Sequence, residues 1–192
     1  MTSRPRSICI VGLDDFPLLS EVLCGQALDE RIGGESVQHW LLAQAWRDMG
    51  IEVSIVVRDH GQPPEMMLDG LRIISAFDSA AGVRGWRFLH PRLTGVWKAL
   101  KRADAELYYQ SPSSAFTGLT AEFCRRRGRL FIYRVASDAN CIPGAQLIRY
   151  WRDRKLYEYG LKRAHLIALQ TARQRELLQR HYGLDGPVID MA

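Results

Sequence analysis

One glycine-rich stretch in the first fifth of the chain reads Arg31-Ile32-Gly33-Gly34-Glu35-Ser36-Val37. Its two adjacent glycines open a long amphipathic segment, residues 34–49, and they follow a short apolar run, residues 7–12. The order of strand, glycine loop and helix brings backbone N–H groups and the positive end of a helix to the carboxyl end of a strand. Such a place favours an anion, often a phosphate. Taken alone, the glycine pair has a second interpretation, a flexible turn before a helix.

Apolar runs of strand length alternate with amphipathic segments over the rest of the chain. An irregular excursion is predicted over residues 13–32, and Val37, Leu41, Ala45 and Met49 repeat at the spacing of an inward helix face. Strands are predicted at residues 7–12, 51–57, 71–77, 106–110, 130–136 and 166–170, with a further short one starting at Val188. Helices are predicted over residues 34–49, within 93–103, after Ser111-Pro112-Ser113-Ser114, over 147–162 and after a capping box at Thr171.

This alternation, without repeats or a low-complexity linker, predicts an α/β fold. Specifically, we expect a Rossmann-like three-layer sandwich with a mostly parallel sheet and right-handed crossovers. In such sheets ligands bind at the carboxyl ends of the strands. That rule points to the loops at residues 13–36, 110–114, 136–140 and 170–171.

The net charge of +5 is unevenly distributed along the sequence. Residues 1–120 carry 12 basic and 14 acidic side chains, whereas residues 121–180 carry 14 basic and 5 acidic ones. The basic block 121–180 fits an anionic membrane surface, acidic ligands, or a set of solvated helix faces. It shows no recognition motif for nucleic acid, so we expect no nucleic-acid partner.

The four cysteines have no metal-ligand spacing, and we expect them to be reduced thiols, with Cys9 in the core. The sequence shows neither an apolar run of about 20 residues nor the apolar core of a signal peptide. These features predict a cytoplasmic protein, with peripheral contact at the inner face of the cell membrane as an extension of that prediction. The five histidines form no metal spacing and are interpreted as surface or packing residues.

Four motifs, taken in order, resemble a known family. The first is Gly33-Gly34-Glu35 with the helix end and strand start Trp46-Arg47-Asp48-Met49-Gly50-Ile51-Glu52-Val53, and the second is Tyr133-Arg134-Val135-Ala136-Ser137-Asp138. The third is Tyr157-Glu158-Tyr159-Gly160-Leu161-Lys162-Arg163-Ala164-His165-Leu166-Ile167. The fourth is Gln170-Thr171-Ala172-Arg173-Gln174 with Arg180-His181-Tyr182-Gly183. In this order and spacing the chain resembles the N-terminal half of a GT-B glycosyltransferase and is most similar to the retaining family 4 enzymes.

The resemblance implies a hexosyltransferase that moves a sugar from a nucleotide-sugar donor to a glycan or lipid-linked acceptor, as in polysaccharide biosynthesis. It implies that residues 1–192 form one Rossmann-like, acceptor-side domain and that the donor-binding C-terminal domain, with the family's paired glutamates, is absent from this chain. The chain would then hold half of an active site. No metal or other cofactor is implied.

The same resemblance assigns roles to residues in the predicted donor site. Gly33 and Gly34 would let the backbone approach the donor diphosphate, and Glu35 would contact the sugar or complement the helix dipole. Arg134 and Ser137 are assigned to the diphosphate or substrate; the other interpretation of Arg134 is a buried ion pair.

The catalytic candidate is Asp138, beside the expected position of an oxocarbenium-like transition state. The family often has a histidine at the end of this strand, where the present chain has Ala136-Ser137-Asp138, so an Asx turn or helix cap is the alternative interpretation. Gln110, Ser111, Ser113 and Thr171 are assigned to the acceptor, with helix capping as the alternative for the hydroxyl residues.

Two other functions stay open on the sequence alone. One is a standalone nucleotide- or phosphate-binding module without chemistry of its own, and the other is a regulatory α/β domain that pairs with another subunit.

Overall fold

The structure, a computed structural model, describes residues 4–25, 33–83, 86–111 and 113–189. The strands are β1 (Ser7–Val11), β2 (Glu52–Asp59), β3 (Glu65–Leu68), β4 (Leu71–Asp78), β5 (Leu107–Gln110), β6 (Leu130–Arg134) and β7 (Leu166–Ala168). The helices are α1 (Phe16–Cys24), α2 (Gly34–Asp48), α3 (Thr94–Ala103), α4 (Ala115–Arg127), α5 (Trp151–Leu161) and α6 (Ala172–Tyr182). A π-helical turn covers Phe88–Leu93, and a 3-10 turn covers Asp138–Cys141.

The strands form a seven-stranded sheet in the order β3-β4-β2-β1-β5-β6-β7. The β1–β2, β2–β4 and β6–β7 pairs are parallel, and β3 pairs with β4 antiparallel. The prediction of a Rossmann-like α/β sandwich with a mostly parallel sheet is therefore confirmed. The chain divides into two compact units, residues 1–108 and 109–192.

In the first unit, the apolar runs form the central strands because they are covered on both faces. Ile10, Ile55 and Ile73 on β1, β2 and β4 are fully buried. Cys9 lies in this core, as predicted, and burial raises the pKa of its thiol to about 12. The strand β3 was missed by the sequence analysis, although Asp69-Gly70, with φ of 47° and 76°, is a strong hairpin-turn signal.

The excursion predicted over residues 13–32 is wrong in part, because it contains α1. Pro17 fits the first turn of that helix, and Gly25 ends it in the left-handed conformation with φ of 65°. Phe16 and Leu19 of this helix are buried. Residues 26–32, including Arg31 and Ile32, lie outside the described part of the chain.

The inward face predicted for α2 is also wrong. Val37 and Leu41 are 41% and 59% exposed, whereas the buried residues of the helix are Ser36, His39 and Ala43. The hydrophobic repeat predicts the wrong face because the buried face contains a polar residue, His39. Its burial is possible because it pairs with the carboxylate of Asp15, which lies in the loop after β1.

In the second unit, α4 and α5 pack closely through glycines. A Cβ at Gly118 would lie 2.3 Å from the carbonyl oxygen of Leu156, and a Cβ at Gly160 would lie 2.5 Å from the carbonyl carbon of Thr117. The predicted helix over residues 147–162 is shorter than expected, since Tyr150 is extended and α5 begins at Trp151. The start of α4 is capped by Ser114; Pro112 lies outside the described residues.

We expect Gly160→Ala to lower the stability of the protein by about 1–3 kcal/mol, because the added methyl group overlaps the α4 backbone, which cannot move aside as a side chain could. Thermal unfolding followed by circular dichroism measures the change. Lys155→Ala, at an exposed site on the same helix, is the matched control and should leave the midpoint nearly unchanged. Equal midpoints for the two variants would contradict the close approach of the helices.

Candidate functional site

The glycine pair begins α2, as predicted. Gly33 is the N-cap residue with φ of −87°, and neither Gly33 nor Gly34 has a left-handed backbone. A Cβ added at either position would meet no heavy atom within 4 Å among the described residues. Neither backbone conformation nor packing of the described residues therefore requires glycine here, which weakens the interpretation as a plain turn.

A buried hydrogen-bonded pair of side chains holds the first turns of α2 against the loop after β1. His39 is fully buried, and its Nδ1 lies 2.7 Å from Oδ2 of Asp15, which is also buried. Its Nε2 lies 3.7 Å from Oε1 of Glu35, so the carboxylate assigned to sugar contact or to the helix dipole also faces an imidazole. The hydroxyl of Ser36 donates to the carbonyl of Asp14 at 3.3 Å.

Gly12 makes room for this pair. A Cβ at Gly12 would lie 1.7 Å from Oδ2 of Asp15 and 3.0 Å from Nδ1 of His39. The sequence analysis counted His39 as a surface or packing residue and did not consider Asp15. The available signal was a charged residue soon after the first strand and a histidine in the second turn of α2.

We expect Asp15→Asn to destabilise the protein by about 1.5–3 kcal/mol, because it removes the charge from a buried hydrogen bond without changing the shape of the side chain. Asp14→Asn is the matched control, since the Asp14 carboxylate is exposed where it pairs with Arg58, and exposed pairs contribute about 0–1 kcal/mol. Urea unfolding of both variants measures the difference. A cost for Asp15→Asn no greater than that for Asp14→Asn would show that the buried pair is not stabilising.

A cavity of about 560 Å³ lies at the carboxyl ends of β2 and β4, still within the first unit. It is lined by residues 58–61 and 78–80. Burial, together with the positive charge of Arg92, lowers the pKa of Arg58, whose guanidinium donates to the hydroxyl of Ser79 at 3.3 Å. The rule that ligands bind at strand ends applies to these loops as well, but the sequence analysis did not select them.

In the second unit, polar side chains gather at the ends of β5 and β6. Gln110 and Ser111 are buried, and the Gln110 Oε1 and Ser111 Oγ atoms have no hydrogen-bond partner among the described residues. The Gln110 amide nitrogen contacts the Ser114 hydroxyl at 3.4 Å. Ser114, and not Ser111, caps α4.

Arg134 ends β6 and is only 7% exposed. Its Nε has no hydrogen-bond partner, and no ion pair joins its guanidinium to a carboxylate within the described ranges. A buried cation without a counter-charge is costly, so among these residues the buried ion pair is not observed. The arrangement favours an anionic ligand as the missing partner.

The loop after β6 is shaped by Asn140, which the sequence analysis did not single out. Its Oδ1 accepts hydrogen bonds from the N–H groups of Ala136 and Ser137 at 3.2 and 3.1 Å, and its Nδ2 donates to the Ser113 hydroxyl at 2.8 Å. Ser113 is thereby fixed to the same loop as Ser137, which caps the 3-10 turn.

Two further predicted residues have structural partners in the second unit. Asp138 is partly exposed and its Oδ2 lies 3.0 Å from Nε of Arg173. The Thr171 hydroxyl accepts from the N–H of Gln174 at 3.1 Å and so caps α6, as the capping-box interpretation requires. The Gln174 side chain instead accepts from the N–H of Gln170, at 2.8 Å.

The structure describes residues 4–25, 33–83, 86–111 and 113–189. Among these residues no group of three or more His, Cys, Asp or Glu side chains could hold a metal ion. No helix in the same residues has both the length and the apolar character needed to cross a membrane.

The chain was compared with curated proteins, with solved structures and with protein families. A comparison with curated protein sequences found no match. A crystal structure of a biotin carboxylase–ATP complex from Campylobacter jejuni matches with 13% identity and a TM-score of 0.37, over 67% of this chain and 23% of that chain, which is too weak to carry an argument. The glycosyl transferase 4-like domain family matches residues 33–191, from the glycine pair to beyond α6. The matched residues cover most of the sequence and include all four motifs, and the chain therefore belongs to the glycosyl transferase 4-like domain family.

Proposed function

We propose that this chain is the N-terminal, acceptor-side domain of a retaining glycosyltransferase that moves a hexosyl group from a nucleotide-sugar donor to a glycan or lipid-linked acceptor. The match of the glycosyl transferase 4-like domain to residues 33–191 carries the proposal. A second α/β domain, outside these 192 residues, would bind most of the donor and complete the active site.

The site residues divide into two groups under this proposal. In the first unit, the N-terminus of α2 at Gly33 and Gly34 receives the donor diphosphate, because the helix dipole and the backbone N–H groups of the first turn favour negative charge. In the second unit, Arg134 supplies a charge to a phosphate or sugar oxygen. Gln110 and Ser111 offer buried polar atoms to acceptor hydroxyls.

Asp138 is assigned an orienting role and not a direct catalytic one. Its carboxylate pairs with Arg173 and is partly exposed, so it can serve the developing positive charge of the sugar only if that pair opens. We therefore assign Asp138 to orientation of the 136–140 loop and of the sugar, and we assign the catalytic contribution of this chain to binding and electrostatics.

The decisive experiment uses the protein encoded by the full reading frame. Transfer is measured with a panel of nucleotide-sugars and with total cellular lipid and polysaccharide fractions as acceptors. The proposal expects nucleotide release that depends on both a donor and an acceptor fraction. Nucleotide binding without transfer in every combination would instead support a nucleotide-binding module.

A calorimetric titration separates the half-site proposal from a complete donor site. The isolated 192-residue chain should bind nucleotide-sugars weakly at most, because most donor contacts would belong to the second domain. Tight binding to the isolated chain would contradict the division of the site between two domains.

A further inference from the structure

The loop before α5 and the first turn of that helix display an apolar and basic surface, here named the 147–152 surface. It is made of Leu147, Arg149, Tyr150, Trp151 and Arg152. Leu147 is 99% exposed, Tyr150 50% and Trp151 74%. Large aromatic and aliphatic side chains clustered at the surface mark an interaction site rather than a packing defect.

Leu147 is held in its exposed position by the hydrogen bonds of its neighbour Gln146, which is buried. Its amide nitrogen donates to the Tyr182 hydroxyl at 2.7 Å, and its Oε1 accepts from the N–H of Gly144 at 3.0 Å. The N–H of Ile148 donates to the Gln146 carbonyl at 2.7 Å. These bonds hold the loop on both sides of Leu147, so the side chain projects outward from a defined backbone.

The apolar side chains are surrounded by positive charge. The guanidinium carbons of Arg149 and Arg152 lie 5.4 and 5.3 Å from the centre of the Tyr150 ring. Residues 143–155 contain four basic side chains and one acidic side chain, Asp153, which pairs with Arg152 at 3.1 Å. Lys155 extends the basic edge and pairs with Glu158 at 3.3 Å.

We propose that the 147–152 surface docks on an anionic lipid bilayer, with Leu147 and Trp151 entering the acyl boundary and the arginines at the phosphate level. Trp and Tyr prefer the membrane interface, and flanking basic residues attract anionic lipids. A protein partner fits less well, because three apolar side chains cannot supply the roughly 800 Å² per partner of a standard protein interface. This proposal goes beyond the transferase proposal and does not depend on it.

The test is vesicle flotation of the 192-residue chain with phosphatidylcholine vesicles that contain or lack phosphatidylglycerol. Binding is expected with the anionic vesicles, and raising the salt to 1 M should weaken it, since screening shortens the Debye length to about 3 Å. Arg149→Gln/Arg152→Gln should weaken partitioning about 30-fold. Leu147→Ser/Trp151→Ser should weaken it at least about tenfold.

Matched controls remove the same chemistry elsewhere in the chain. Lys98→Gln/Lys101→Gln removes two exposed charges from α3, and Val37→Ser/Leu41→Ser removes two exposed apolar side chains from α2. Both should leave binding unchanged. Vesicles with brominated acyl chains should quench part of the tryptophan emission of the native chain but not of Trp151→Phe.

Three outcomes would overturn the proposal. One is no retention by anionic vesicles at low salt. Another is equal weakening by the control and surface variants, which would indicate general charge attraction. The third is a dimer that Leu147→Ser/Trp151→Ser dissociates in the absence of vesicle binding, which would make the surface a contact between two copies of the chain.

Discussion

Replacing Gly34 with valine is expected to reduce sugar transfer by the complete protein at least about 100-fold, while this domain stays folded. The branched side chain would occupy the space through which a diphosphate approaches the N-terminus of α2, and displacement of a reacting group by about 1 Å can cost 10²-fold in rate. A Cβ at Gly34 meets no described atom within 4 Å, and the backbone is not left-handed, so the fold has no steric reason to change.

Stability and activity should therefore separate in this variant. Valine has a higher helix propensity than glycine, so the unfolding midpoint should stay constant or rise slightly. Ala45→Val, at an exposed site on the same helix, is the control for a β-branched residue and should keep full transfer. Near-normal transfer by Gly34→Val would show that the glycine pair serves only as the start of a helix.

Arg134→Met should lower transfer by about 10²- to 10³-fold, as expected when one charged donor to a developing anion is removed. Methionine fills a similar volume without a charge, and removal of a buried, uncompensated charge is neutral or stabilising. The stability of the isolated chain should therefore be maintained or increased. Loss of transfer without loss of stability is expected of a residue whose role is to bind a ligand.

Two other arginine variants serve as controls for Arg134→Met. Arg175→Met removes a guanidinium that pairs with Asp185 at the surface, and it should leave transfer unchanged. Arg134→Lys keeps the charge but loses the planar fork that binds two phosphate oxygens, so it should restore activity only in part. A loss of stability in Arg134→Met, with transfer falling only in proportion to the folded fraction, would assign Arg134 a structural role.

The sequence predicted the elements whose signals are local. The central strands were recognised because both faces are covered, so the apolar residues run without interruption, as in Val53 to Val57. Helix starts with a capping hydroxyl, such as Ser114 and Thr171, were recognised for the same reason: the cap and its N–H partner lie within three residues of each other.

The errors arose where distant residues decide the outcome. The buried face of α2 depends on Asp15, which lies 24 residues before His39 and makes a buried histidine acceptable. Likewise, the sequence allowed Arg134 either a buried ion pair or a ligand, and only the positions of the surrounding side chains show that no carboxylate among the described residues faces it.

By itself, the sequence determined the α/β class, the family resemblance and the loops at which most candidate site residues lie, because these follow from periodicity and from motifs in order. The tertiary structure decided which polar groups are satisfied: it joined Asp15 to His39, tied Asn140 to Ser113 and left Arg134 buried without a carboxylate among the described residues. The physical reason is that hydrogen bonding and desolvation depend on atoms brought together from separate loops, and residue spacing along the chain does not encode those distances.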